Sequence, residues 1–261
     1  MDFILNIPWE YPLLIVVGII VGFINTMAGG GSLITLPILI FLGLPSAVAN
    51  GTNRIALMMT AFSANMGFKS KGISTFPFSA YTGSCALMGS IIGAHIAIDI
   101  NDAAFNKILS IIMILVILII VFKPRIVSND LSVRLTGKHL RLSCVVFFFI
   151  GVYGGFVNAG IGFVIMLFLH FYNRMNLVRV NATKVVIVLV YTIGAFLTFV
   201  FNDLVNYSYG ICLAIGTVFG GWNASRYAVK KGEKVIKIFL VISVVIILSI
   251  EIDSAALLLI V

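Results

Sequence analysis

The stretch Gly22-Phe23-Ile24-Asn25-Thr26-Met27-Ala28-Gly29-Gly30-Gly31-Ser32-Leu33-Ile34-Thr35-Leu36-Pro37 lies inside a longer run, residues 11–53, that contains no Asp, Glu, Lys or Arg. About 20 apolar residues cross a bilayer as a helix, so the run is long enough for two passages. Gly29, Gly30 and Gly31 interrupt it in the middle. Three successive glycines end a helix, and a new helix then starts near Ser32 or Pro37. Irregular backbone at hydrocarbon depth persists only where protein or a wet cavity surrounds it.

The rest of the chain has the same character. Of 261 residues, 61% are hydrophobic and 10% are charged, against roughly a quarter charged in an ordinary soluble domain. Mean hydropathy is +1.17. This composition excludes a soluble enzyme, a nucleic-acid module and a disordered scaffold. The net charge of +8 is therefore read as orientation in a bilayer, because cationic loops stay cytoplasmic. Met1-Asp2-Phe3 lacks the basic start of a secretory signal, so the N-terminus is expected to be retained. Cys85, Cys144 and Cys212 form no CxxC pair and read as small buried hydrophobes.

Charge-free runs divide the chain into ten expected membrane segments, about 11–28, 33–45, 51–68, 77–98 and 104–122, then 142–159, 162–173, 185–202, 208–225 and 236–254. The second segment of each group is a half-helix or a re-entrant piece, since 12 residues cover about 18 Å of a core roughly 30 Å thick. With the N-terminus outside, the cytoplasmic loops 69–76, 123–141, 174–184 and 226–237 hold 15 of the 17 basic residues, leaving Arg54 and Lys107 on the other side. Both termini are thus expected outside. The basic run 226–237 also suits a lipid headgroup.

The two groups are copies. Gly18, Gly22, Asn25 and Gly29 match Gly151, Gly155, Asn158 and Gly162 at an offset of 133. Asn50, Thr52 and Asn53 match Asn181, Thr183 and Lys184 at 131, and Gly83, Cys85, Gly89, Gly93 and Lys107 match Gly210, Cys212, Gly216, Gly220 and Lys234 at 127. The expected organisation is an N-terminal repeat 1–123, a cytoplasmic linker 124–141 and a C-terminal repeat 142–261. Five segments per copy, or three spans plus a hairpin, is an odd number. The second copy therefore enters from the opposite face, giving an all-α polytopic protein with two inverted-topology repeats.

Helix N-termini favour anions, and two such ends from opposed repeats would meet near the pseudo-twofold axis. The candidate binding residues are Asn25, Gly29, Gly30, Gly31, Ser32, Thr52, Asn53 and Arg54 in the first copy, with Asn158, Gly160, Gly162, Thr183 and Lys184 in the second. The amides and hydroxyls offer neutral donors; Arg54 and Lys184, placed at the starts of the third segments, add positive potential. Competing structural readings stand beside these. Glycine stripes serve close helix packing, Thr52 and Thr183 suit N-caps, Asn25 and Asn158 suit a carbonyl exposed at each break, and Arg54 and Lys184 suit interfacial cations that reach toward the headgroups.

His95, His139 and His170 show no pairing, and Asp99, Asp102, Asp203, Glu251 and Asp253 fall near outer ends. No His, Asp, Glu or Cys cluster suggests an enzyme, a metal site or a cofactor, and no GxxxxGK[ST] motif suggests ATP-driven transport. A coupled carrier for a small anion is the leading reading, a passive anion channel the alternative. Lipid is an expected partner, nucleic acid is not, and a homodimer remains open.

The stretch from Gly22 to Ser32, with Pro37, Gly43 and Asn50-Gly51-Thr52-Asn53-Arg54, resembles the sulfite exporter TauE/SafE family. Gly155-Phe156-Val157-Asn158-Ala159-Gly160-Ile161-Gly162 with Asn181-Ala182-Thr183-Lys184 is similar to that family's second repeat, although it lacks the triple glycine and a counterpart of Ser32. The resemblance covers nearly the whole chain. It implies an inner-membrane transporter of small sulfur-containing anions such as sulfite, sulfonates or sulfoacetate-like compounds.

Overall fold

The computed structural model describes residues 8–121, 133–236 and 238–239. All regular structure among the described residues is helical: α1 (Glu10–Met27), α2 (Ser32–Phe41), α3 (Ser46–Lys69), α4 (Phe78–Asp99), α5 (Asp102–Val121), α6 (Lys138–Phe156), α7 (Ile161–Phe171), α8 (Leu177–Phe201) and α9 (Tyr207–Lys231). Among these, α1, α4, α6 and α8 are long and apolar enough to cross a membrane, as expected of a polytopic membrane protein. The tenth expected segment, 236–254, lies outside the described residues apart from Ile236, Ile238 and Phe239, as do Lys123, Arg125, Lys237, Glu251 and Asp253.

Both short helices fold back along the helix before them. Gly31 lies against the side chains of Val21 and Asn25, so α2 returns alongside α1. Gly154 meets Ile161, the Phe147 and Phe168 rings lie 5.6 Å apart, and His139 Nδ1 is 3.2 Å from the Tyr172 hydroxyl, so α7 zips antiparallel onto α6. At about 1.5 Å per residue, the 10-residue α2 and 11-residue α7 are half-length elements. α2 begins at Ser32 and contains Pro37 in its interior.

The third segments begin earlier than the charge-free runs predict. α3 starts at Ser46, not 51, and α8 at Leu177, not 185. Arg54 and Lys184 therefore stand about two turns inside their helices, 0% and 2% exposed. Their expected placement at segment starts is corrected, and Lys184 leaves the set of loop charges. Thr52 and Thr183 lie inside α3 and α8 and cap neither; Asn176 caps α8 by accepting from the Arg179 N–H at 2.8 Å.

Glycine stripes mediate the closest helix pairs, α1 on α9 and α4 on α6. A Cβ on Gly22 would stand 2.6 Å from the Thr217 carbonyl oxygen, and one on Gly155 would stand 2.0 Å from that of Ser90. Gly18 faces Leu213 as Gly151 faces Ala86, and Gly216 faces Ile15 as Gly89 faces Phe148. Each of these contacts between α1 and α9 thus recurs between α6 and α4 at the sequence offsets of 133 and 127.

The loops gather at two ends of unlike charge. At one end the Leu177 N–H donates to Glu233 Oε1 at 2.7 Å, the Arg134 N–H donates to the Asn173 carbonyl at 3.0 Å, and Gly72–Ser74 border a groove with Asn176 and Arg179. Lys69, Lys71, Arg134, Lys138, Arg174, Arg179, Lys230, Lys231 and Lys234 lie in or beside these segments. At the other end the Ser46 N–H donates to Asp102 Oδ1 at 2.8 Å and the Asn206 N–H to Thr52 Oγ1 at 2.8 Å, with Asp99 and Asp203 beside them.

Candidate functional site

The two helix breaks meet backbone to backbone. A Cβ on Gly29 would stand 2.4 Å from the Gly162 Cα, and one on Gly162 would stand 2.3 Å from the Gly29 Cα. Gly29 also has φ +90°, which a side chain would strain. The second break turns at Asn158 and Gly160, with φ of 62° and 68°; asparagine is the residue after glycine that best tolerates this region. Gly29 and Gly162 are the positions matched in the sequence copies.

Two buried cations reach across from one sequence half to the other. The Arg54 guanidinium on α3 donates to the carbonyls of Gly154 at 2.6 Å and Gly155 at 2.8 Å, near the C-terminus of α6. It also donates to Asn50 Oδ1 at 2.9 Å and lies 5.5 Å from the Phe199 ring centre. The Lys184 ammonium on α8 donates to the carbonyls of Asn25 at 3.1 Å and Thr26 at 3.0 Å, at the C-terminus of α1, and lies 3.7 Å from Met166 Sδ. Asn50 and Asn181 complete the pattern, donating to Phe156 O at 2.6 Å and Met27 O at 3.0 Å. Each helix end carries roughly half a negative unit charge, which compensates part of each cation. Among the described residues no carboxylate pairs with either cation.

The polar side chains divide into bonded and free. Ser32 Oγ accepts from Asn53 Nδ2 at 3.1 Å and from Asn158 Nδ2 at 3.0 Å, joining α2, α3 and the second break. Thr35 Oγ1 donates to Asn53 Oδ1 at 2.7 Å, and the Tyr191 hydroxyl donates to Asn158 Oδ1. Thr183 Oγ1 donates to the Arg179 carbonyl at 2.8 Å within its own helix. Among the described residues the Asn25 carboxamide has no hydrogen-bond partner.

Asn25 faces a narrow cavity lined also by Thr26, Leu57, Thr60, Ala61, Asn158, Ile161, Gly162, Lys184, Val185, Val188 and Tyr191. Its free space is about 10 Å³, room for about one water molecule. Of the residues singled out from sequence, the cavity brings together Asn25, Asn158, Gly162 and Lys184. Gly29, Gly30, Gly31, Ser32, Asn53 and Gly160 support the breaks beside it, while Thr52 and Arg54 are engaged elsewhere. Tyr191 and Thr60 are not among the candidates that the sequence singles out. A signal for them exists: Thr60 and Tyr191 stand at the offset of 131, as do Leu57 and Val188. With Asn25 and Asn158 they make three matched pairs around one space. The Asn25 carboxamide, the Lys184 ammonium and the first turn of α7 border it, a lining suited to an oxyanion, while the Tyr191 hydroxyl proton is held by Asn158 Oδ1.

The chain is similar to curated proteins named as membrane transporters. The chain is 28% identical to a probable membrane transporter protein of Haemophilus influenzae over 230 residues, 88% of this chain and 89% of that one. It is 29% identical to the probable membrane transporter protein ORF9 of a Sinorhizobium species, covering 88% and 87% of the two chains. It is 27% identical to the probable membrane transporter protein YfcA of Escherichia coli K12, covering 88% and 85%. No solved structure matches it significantly. The profile of the family described as sulfite exporter TauE/SafE matches residues 14–251, and the chain belongs to that family.

Proposed function

We propose that this protein is a secondary transporter that moves a small sulfur-containing oxyanion across the inner membrane by alternating access. The carrying observation is the contact of Gly29 with Gly162 beside the cavity of Asn25, Asn158, Lys184 and Tyr191. The reading takes the chain as two inverted-topology repeats whose re-entrant hairpins enter from opposite faces and meet tip to tip. The recurrence of the glycine contacts with partners exchanged supports this. The charge contrast between the two ends supports a cytoplasmic basic end, and with the tenth segment counted both termini lie outside. Relatives named as membrane transporters support transport, and the family description supports a sulfite-like cargo.

An anion of several heavy atoms exceeds a water-sized space. Admitting it requires the cavity walls to part, and parting on one face at a time is alternating access. Among the described residues the Asn25 carboxamide has no protein partner, so an arriving oxyanion can accept from it without displacing a protein group.

The test is sulfite counterflow in proteoliposomes. Wild-type protein accumulates labelled sulfite against an internal sulfite load, and the Asn25→Ala, Asn158→Ala double variant, eluting as a folded monodisperse species, does not. Undiminished counterflow by the double variant removes these residues from the site. Flux without counterflow identifies a passive channel instead.

A further inference from the structure

We propose that the protein carries its countercation covalently: the Lys184 ammonium fills a cation site formed by the terminal carbonyls of α1, where a free metal cation would otherwise sit, so the transported anion is bound without Na⁺. The inference deepens the transport reading and rests on it for the anion. The cation site itself stands on geometry.

A helix that ends inside a membrane leaves its last carbonyls without partners. Such ends are where transporters with interrupted helices coordinate coupling cations. Here that position is occupied by a side chain. Lys184 Nζ lies 3.1 and 3.0 Å from the carbonyl oxygens of Asn25 and Thr26, and the Asn181 amide takes the next carbonyl, that of Met27, at 3.0 Å. Lys184 is 2% exposed and has no carboxylate partner among the described residues. Among the described residues the cation has two carbonyls and the Met166 sulfur around it and no negative charge, which leaves it under-compensated, and the space it borders faces the Asn25 amide, which has no partner among those residues. An anion entering there completes the charge balance.

Arg54 occupies the corresponding end of α6. Its guanidinium spans two carbonyls and Asn50, packs on Phe199, and does not line the cavity. Both cations thus bridge the halves, and of the two it is Lys184 that borders the cavity and meets the cargo.

Chemical rescue tests this. Lys184→Ala leaves a void edged by the Asn25 and Thr26 carbonyls. In detergent at fixed ionic strength, the variant is expected to melt several degrees below wild type. Methylammonium or Na⁺ should recover part of that loss, whereas N-methyl-D-glucamine, too large for the void, should not. Wild type should melt alike in all of these cations. Failure of every small cation to outperform N-methyl-D-glucamine overturns the proposal, and so does specific stabilisation of wild type by Na⁺. Should Lys184→Ala not fold, wild-type sulfite counterflow in N-methyl-D-glucamine decides: flux equal to that in Na⁺ supports the built-in cation, and flux lost without Na⁺ overturns it. A wild-type protein that moves no sulfur oxyanion in any cation refutes the transport reading, while the melting comparison still judges the site.

Discussion

Gly29 and Gly162 touch through their backbones, and neither position has room for a methyl group: the Cβ of an alanine at either would stand within 2.4 Å of the other's Cα. Backbone cannot swing aside as a side chain can. Gly29→Ala is expected to lose roughly 2–5 kcal/mol, combining overpacking with a strained left-handed residue. Gly43 is the control, with φ +88° and nothing within 4 Å of the place an added methyl would take. Gly43→Ala should lose only the backbone part, about 1–2 kcal/mol. Thermal melts of both purified variants check this, and equal losses would deny the tip-to-tip contact its role.

Arg54 is expected to matter for folding more than for cargo. Arg54→Met leaves the Gly154 and Gly155 carbonyls without their donors and should destabilise the protein by roughly 2–5 kcal/mol. Arg54→Lys retains the charge but loses the fork that reaches both carbonyls, so it should fall between the two. Melting curves rank the three proteins. An Arg54→Met protein as stable as wild type, with only its sulfite affinity reduced, would assign the residue to the ligand instead.

Asn25 and Asn158 occupy matched positions but should respond differently. Asn25→Ala removes an amide that has no partner among the described residues, so stability should change by less than about 1 kcal/mol while sulfite binding weakens roughly 10- to 100-fold, the worth of a hydrogen bond to a charged group. Asn158→Ala strands the Tyr191 hydroxyl, leaves Ser32 with Asn53 alone, and should cost about 1–3 kcal/mol of stability. Asn158→Gly suits the φ of 62°, and its remaining loss isolates the hydrogen bonds. Calorimetric titration with sulfite beside thermal melts separates the two behaviours. Equal stability losses at the two positions would contradict the free state of the Asn25 amide.

Orientation is checked by labelling. In a background where Cys85, Cys144 and Cys212 are replaced by alanine, Asp203→Cys in intact cells should react with a membrane-impermeant maleimide, and Lys71→Cys should react only after permeabilisation. The reverse pattern would turn the protein over in the membrane.

Much of this is legible in the sequence because hydrophobic length and glycine spacing are local properties. The interruption at Gly29–Gly31 and the short helices after both breaks follow from what a chain can do at hydrocarbon depth. The glycine offsets correspond to the helix contacts because a missing side chain is itself the packing surface. The boundaries of α3 and α8 are not legible, for one physical reason: an unpaired cation marks the membrane edge, and nothing local shows that Arg54 and Lys184 are paired. They lie deep because the carbonyls that accept from them belong to α6 and α1, about 100 and 159 residues away in sequence. Partners at that separation leave no periodicity to read. Tyr191 is hidden in an apolar run, where a phenol looks like any aromatic until its hydroxyl is seen on Asn158.

The exchanged cations have a consequence for how the chain can be divided. A fragment ending near residue 121 would retain Arg54 but lose Gly154 and Gly155, and a fragment starting near 133 would retain Lys184 but lose Asn25 and Thr26. Each piece would keep its cation but lose the carbonyls that receive it, so the two parts are expected to need one another to fold.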